Sequence, residues 1–163
     1  MSTEWFKLNA PGYSSLRQEE LEAIKDFSLL WSLFEAQLLN SQASANSIEA
    51  KVNSLNQTRP FDERDFSIYK TYFVDRYTEI NQVNNNFTNL HLRVNDKPDL
   101  IRDVLEGRVN SINNVVTAML IIIYRYRNNF FHGVKLDYEF KGQQDNFQTA
   151  NSLLMKMMDI NNQ

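Results

Sequence analysis

One stretch of the chain concentrates residue types that could do chemistry: Tyr124-Arg125-Tyr126-Arg127-Asn128-Asn129-Phe130-Phe131-His132-Gly133. It sets guanidinium, amide and imidazole groups directly after the most apolar run, Val115 to Ile123. The spacing predicts a buried helix ending in a polar knot. Gly133 follows as the residue past its C-terminus, where glycine adopts the left-handed conformation without a Cβ penalty. Polar and charged groups at the end of a core helix lose hydration unless that end faces a cleft, so the knot reads as a candidate active site. At about 100° per residue, Asn128 and His132 (i and i+4) share one face. Arg127 stands about 140° around the helix from His132, beside Tyr124 and Phe131. An imidazole with a free pKa of about 6.5 can give or take a proton near neutrality. A guanidinium fork matches phosphoryl oxygens. These groups fit acid–base work on a phosphodiester, with His132 as general acid or base and Arg127 stabilising charge. Asn128 would orient the imidazole or the phosphate.

The string Arg127-Asn128-x-x-x-His132, followed by Gly133, resembles the signature of the HEPN superfamily, an Arg followed by a polar residue and, a few residues on, a His. The longer run from Arg125 to Lys135 is similar to the form found in small stand-alone HEPN proteins. A second segment, Trp31-x-x-Phe34-Glu35, is similar to strings in the first helix of such proteins. The resemblance implies an all-α, HEPN-like bundle and metal-independent cleavage of RNA, in which the substrate's own 2′-hydroxyl attacks the phosphate. It implies no cofactor. It also implies a toxin or defence effector that works as a homodimer, with the two motifs facing one cleft. Some HEPN toxins carry a Tyr two residues after the His and are silenced when a nucleotidyltransferase partner modifies it. Val134 stands there in this chain, so that route does not carry over and no antitoxin or other regulatory partner can be named.

Each site residue also has a plainer reading. Arg127 and His132 could simply complement the negative end of a helix dipole, worth about 0.3–1 kcal/mol each, and Asn128 could be a C-cap amide. Arg125 and Lys135 read as solvated cations with at most a phosphate-steering role toward substrate. Tyr124 and Tyr126 suit packing and base stacking equally. Glu35 is either an exposed carboxylate or a neighbour that orients Arg127 or His132. The four aromatics Tyr124, Tyr126, Phe130 and Phe131 exceed what one bundle core usually absorbs at a single helix end, and aromatics are enriched at interfaces. This, with the 140° divergence, favours a site shared across a two-fold axis. The rival reading is a non-catalytic HEPN-like module that binds a nucleotide, RNA or a protein.

The rest of the inventory narrows the field. The chain has 163 residues, no cysteine and two histidines, with a formal charge of −3. The length suits one domain. The absence of cysteine and of His-x-x-x-His argues against a zinc site, so no metal is expected, and it fits a reducing cytoplasm. No phosphate-cradling glycine loop and no Gly-x-Ser-x-Gly elbow occurs. No apolar run reaches membrane-spanning length. The acidic balance argues against a large nucleic-acid footprint but leaves room for a small one.

Scarce glycine and proline and the near absence of two-residue alternation predict an all-α fold, about four main helices with one or two short ones. Residues 1–14 read as an irregular lead-in. Ser15 and Gln18 propose a capping box for a helix to about Asn40, with Leu21, Ile24, Phe27, Trp31, Phe34 and Leu38 on its core stripe. A short helix carries Ile48, Val52 and Leu55 and stops at Arg59-Pro60. The next starts at Asp62 or Asp65 and extends through Tyr77 to Ile80 or Val83, where the Asn84-Asn85-Asn86 run breaks it. From Asp99 the apolar pattern runs into the motif helix, with Gly107 either tolerated or kinking it. After a loop to Gly142, Asp145 caps a last helix that faces Phe147, Ala150, Leu154, Met157 and Met158 inward.

Overall fold

A computed structural model of the chain describes residues 2–10, 12–131 and 143–163. The described residues are all-α, apart from one hairpin whose two strands have two residues each. The helices are α1 (Ser2–Asn9), α2 (Gln18–Leu38), α3 (Ala45–Thr58), α4 (Glu63–Tyr77), α5 (Asn85–Thr88), α6 (Pro98–Leu105), α7 (Ile112–Phe131) and α8 (Gln144–Asn162). None of them is long and apolar enough to cross a membrane.

The core gathers around α7. Val115, Val116, Ala118, Met119, Leu120, Ile121, Ile122 and Ile123 are all buried, so this helix is covered on every side along its middle. That is why its sequence lacks an amphipathic period there. The surrounding helices each contribute one stripe: Phe27, Trp31 and Phe34 from α2, Ile48 and Val52 from α3, Phe66 and Phe73 from α4, Ile101 and Val104 from α6, and Leu153, Leu154 and Met157 from α8.

Several expected boundaries move, each for a local reason. The lead-in contains α1. Ser15 lies in a 3₁₀ turn and donates to the Gly12 carbonyl. The side chain that closes the start of α2 is Glu20, whose Oε2 accepts from the Arg17 backbone N–H (3.0 Å). The capping geometry thus sits two residues later than the Ser15–Gln18 pair suggested. Ser44 caps α3 by accepting from the Ser47 N–H, and Asp62 caps α4.

α4 ends at Tyr77 rather than running on to Ile80 or Val83. Thr78–Glu79 pairs antiparallel with Gln82–Val83 across a turn in which Ile80 (φ 51°) and Asn81 (φ 60°) are both left-handed. Ile80 is exposed there and packs into nothing. Asn84 does more than break a helix. Its Oδ1 accepts from the Asn86 N–H to start α5, while its Nδ2 donates to the Arg76 carbonyl at the end of α4. Gly107 neither passes through a helix nor kinks one. At φ 75° it closes α6, and a four-residue link follows before α7. α8 begins at Gln144 after Gln143, with Asp145 in its first turn instead of at the cap.

Candidate functional site

The last turns of α7 present three faces, and each carries different chemistry. Tyr124 and Arg127, three residues apart, face α2. Tyr124 stacks on Trp31 with ring centroids 5.9 Å apart and an interplanar angle of 29°. The Arg127 guanidinium donates to the Asn128 Oδ1 (3.0 Å) and stands 3.9 Å from Glu35 Oε2. Glu35 is itself held in place: the Trp31 indole N–H donates to its Oε2 (2.7 Å) and the Ala43 backbone N–H to its Oε1 (3.4 Å). The carboxylate therefore sits beside Arg127 from the neighbouring helix and is not a solvated surface acid. The Trp31–Glu35 spacing of one turn was the sequence signal for this, because the indole N–H and the carboxylate lie over each other on a helix face.

The second face is structural. Arg125, expected to be a solvated cation, is buried. Its side chain is 4 % exposed and its guanidinium lies 3.3 Å from Asp96 Oδ2. It also donates to the Leu90 carbonyl (3.3 Å) and to Asn129 Oδ1 (3.1 Å), while Asn129 Nδ2 donates to the same Leu90 carbonyl (3.1 Å). Burial pulls the Arg125 pKa down and the Asp96 charge opposes that pull. In this arrangement the guanidinium ties the segment after the hairpin to α7 and offers no hand to a substrate.

On the third face Tyr126 points between α4 and α8. Its hydroxyl lies 2.5 Å from that of Tyr77 and donates to Asn146 Oδ1 (3.4 Å), which also accepts from Tyr72 (2.5 Å). Burial pushes the Tyr126 pKa well above its ordinary value and raises that of Tyr72 to about 12. Arg76 closes this cluster over the Tyr77 ring, 5.8 Å from its centroid. Phe130 meets Phe147 edge-on at 6.2 Å. Tyr124, Tyr126 and Phe130 are thus used inside the chain, and the surplus of aromatics expected at a dimer contact shrinks accordingly.

The arrangement brings together Arg127, Asn128, Glu35 and Tyr124, and separates Arg125 from them. Asn128 is buried and holds the guanidinium through its oxygen. His132 and Lys135 lie outside the described residues, as do Gly133 and Val134. With a side chain 33 % exposed, Arg127 can still reach an anion, and a phosphate arriving there would compete with Glu35. No family model matches this chain, and no curated protein and no solved structure matches it either.

Proposed function

We propose that the chain is a metal-independent endoribonuclease of the HEPN type, acting as a toxin or defence effector. One observation carries the reading. The most buried helix ends in an accessible guanidinium, fixed by Asn128 and Glu35, five residues before His132. Arg127 neutralises charge gathering on the phosphoryl oxygens. His132 takes the proton from the 2′-hydroxyl, or gives one to the departing 5′-oxygen. The 2′-oxygen–phosphorus bond forms, the phosphorus–5′-oxygen bond breaks, and the products are a 2′,3′-cyclic phosphate and a 5′-hydroxyl. A homodimer completes the site in this proposal, since Arg127 and His132 diverge by about 140° on a regular helix and a two-fold partner brings them to one phosphate.

Total RNA incubated with the purified chain in excess chelator tests this directly. Expected is cleavage that leaves 2′,3′-cyclic or 3′-phosphate ends, lost in a folded His132→Ala variant. Ends carrying 3′-hydroxyl and 5′-phosphate overturn 2′-hydroxyl attack. The Glu35 carboxylate beside Arg127 favours one second reading, a non-catalytic module in which that cation is already partly neutralised. RNA that binds the wild-type chain and stays intact selects it.

A further inference from the structure

Helices shorter than about 12–15 residues are marginal in water by themselves. α1 has eight residues and none of them is buried. Phe6 stacks on Tyr13, centroids 5.1 Å apart, which rests one side of α1 on the turn that follows it. The other side carries Trp5, 59 % exposed, and Leu8, 84 % exposed, at i and i+3. Trp5 meets the edge of the Phe6 ring and otherwise faces water. Something must cover this side for the helix to persist.

A matching bare surface lies on α2. Glu22, Asp26, Leu29, Leu33 and Ala36 are all exposed and follow one another at alternating intervals of four and three, the spacing of a seam that receives another helix. The middle of the stripe is apolar, with Leu29 67 % and Leu33 50 % exposed. From Leu29 to Ala36 it measures about 10 Å, and an eight-residue helix about 12 Å. Exposed Glu22 and Asp26 form the N-terminal end of the stripe with Lys25 beside it, and Glu4 and Lys7 flank the apolar pair on α1. Glu4 and Lys7 pair with each other on α1 (2.9 Å), and the Glu22–Asp26 end of the α2 stripe gives Lys7 two further acids to face.

We propose that two copies of this chain exchange their N-terminal helices. α1 of each copy lies along the Leu29–Leu33–Ala36 stripe of the other, with Trp5 and Leu8 seated between the leucines. A second copy fits because both halves of the contact are written in one chain, matched in length and apolar character, and a two-fold axis covers both pairs at once. The chain's own stripe stays bare while α1 rests on Tyr13. This surface is separate from the proposed nuclease site, since Leu33 stands about 160° around α2 from Glu35.

The absence of cysteine from the sequence makes the contact trappable. Leu8→Cys chains mixed with Leu33→Cys chains under mild oxidation should give a disulfide-linked dimer at least about tenfold above either variant alone. Light scattering should find a dimer for the wild-type chain, but the proposed nuclease pairing through α7 would give one as well, so the cross-link is what identifies this contact. Leu33→Glu should raise its dissociation constant on the order of tenfold or more, with an unchanged helical circular dichroism spectrum. If Leu33→Glu fails to fold, the milder cysteine pair still decides. The proposal is overturned by a mixture that links no better than the single variants. It is equally overturned if the double variant Leu8→Cys/Leu33→Cys forms only an intrachain link in a monomer, or if a monomer inserts Trp5 into lipid vesicles instead. RNA cleavage plays no part in these readouts.

Discussion

Arg125 and Arg127 sit two residues apart on one helix, yet they do opposite work. The Arg125 side chain is 4 % exposed and the Arg127 side chain 33 %. Both face a carboxylate. Asp96 is buried with its partner and accepts as well from the Arg93 N–H that opens its own turn. Glu35 is held by a tryptophan and a backbone amide whether or not Arg127 stays near it. A turn of about 200° between the two residues converts the same side chain from an internal clamp into a cation that keeps part of its surface in water. The lesson is that a run of basic residues at a helix end is not one patch. Its members divide according to what the neighbouring elements bring to each face.

The largest effect that sharpens this contrast is on stability. Arg125→Met leaves Asp96 buried without its cation and removes one of the two donors on the Leu90 carbonyl, and breaking a buried pair in this way costs about 3–5 kcal/mol. Urea unfolding should detect that loss. Arg127→Met should change the same measurement by about 1 kcal/mol or less, because a partly exposed pair as long as 3.9 Å contributes little. Equal losses for the two variants would erase the distinction.

Next in size is catalysis. On the proposed chemistry, Arg127→Ala lowers single-turnover RNA cleavage by about 10²–10³-fold, the usual cost of removing one transition-state donor. It does so without shifting the unfolding midpoint appreciably. An unimpaired rate would return Arg127 to the role of a surface cation.

The smallest effect concerns the third face. Burial raises the Tyr72 pKa from 10.0 to about 12 and pushes that of Tyr126 well above its ordinary value, so the folded chain binds these protons more tightly than the unfolded one. Their contribution is whole below about pH 10 and is lost as pH climbs toward 12. Urea midpoints measured from pH 9 to 11 should fall, and fall less steeply in Tyr126→Phe. A flat profile would mean that these hydroxyls are not confined.

Much of this was legible because period and burial agree. Phe27, Trp31, Phe34 and Leu38 recur at helical spacing and are buried on α2, and the unbroken apolar run of α7 marks a helix enclosed on all sides. Ile48 and Val52 behave likewise on α3. What could not be read were contacts made across long separations. Nothing local to Arg125 announces Asp96 or the Leu90 carbonyl. Ile80 looked like a core residue because an isoleucine in the left-handed region is rare, and only the hairpin pairing makes that position a turn. The capping glutamate was missed because the sequence favours Ser15 as a cap, whereas Glu20 can close the helix through the Arg17 backbone. At the site, Arg127 and Asn128 were legible together because they are adjacent, whereas Glu35 as a neighbour of Arg127 was one of two readings, since its one-turn spacing from Trp31 does not reveal that α2 brings it beside Arg127.

The two tryptophans give the molecule an optical division of labour. Trp31 is enclosed, donates its indole proton to Glu35 and lies against Tyr124, so its emission belongs to a dry, rigid environment beside the Arg127 end of α7. Trp5 stands largely in water on α1, where its emission falls to longer wavelength and open to a soluble quencher. The natural fluorescence is thus two signals from two helices: a blue component from α2 that would report a rearrangement of Glu35 and Arg127, and a red one from α1 that would report anything covering that helix.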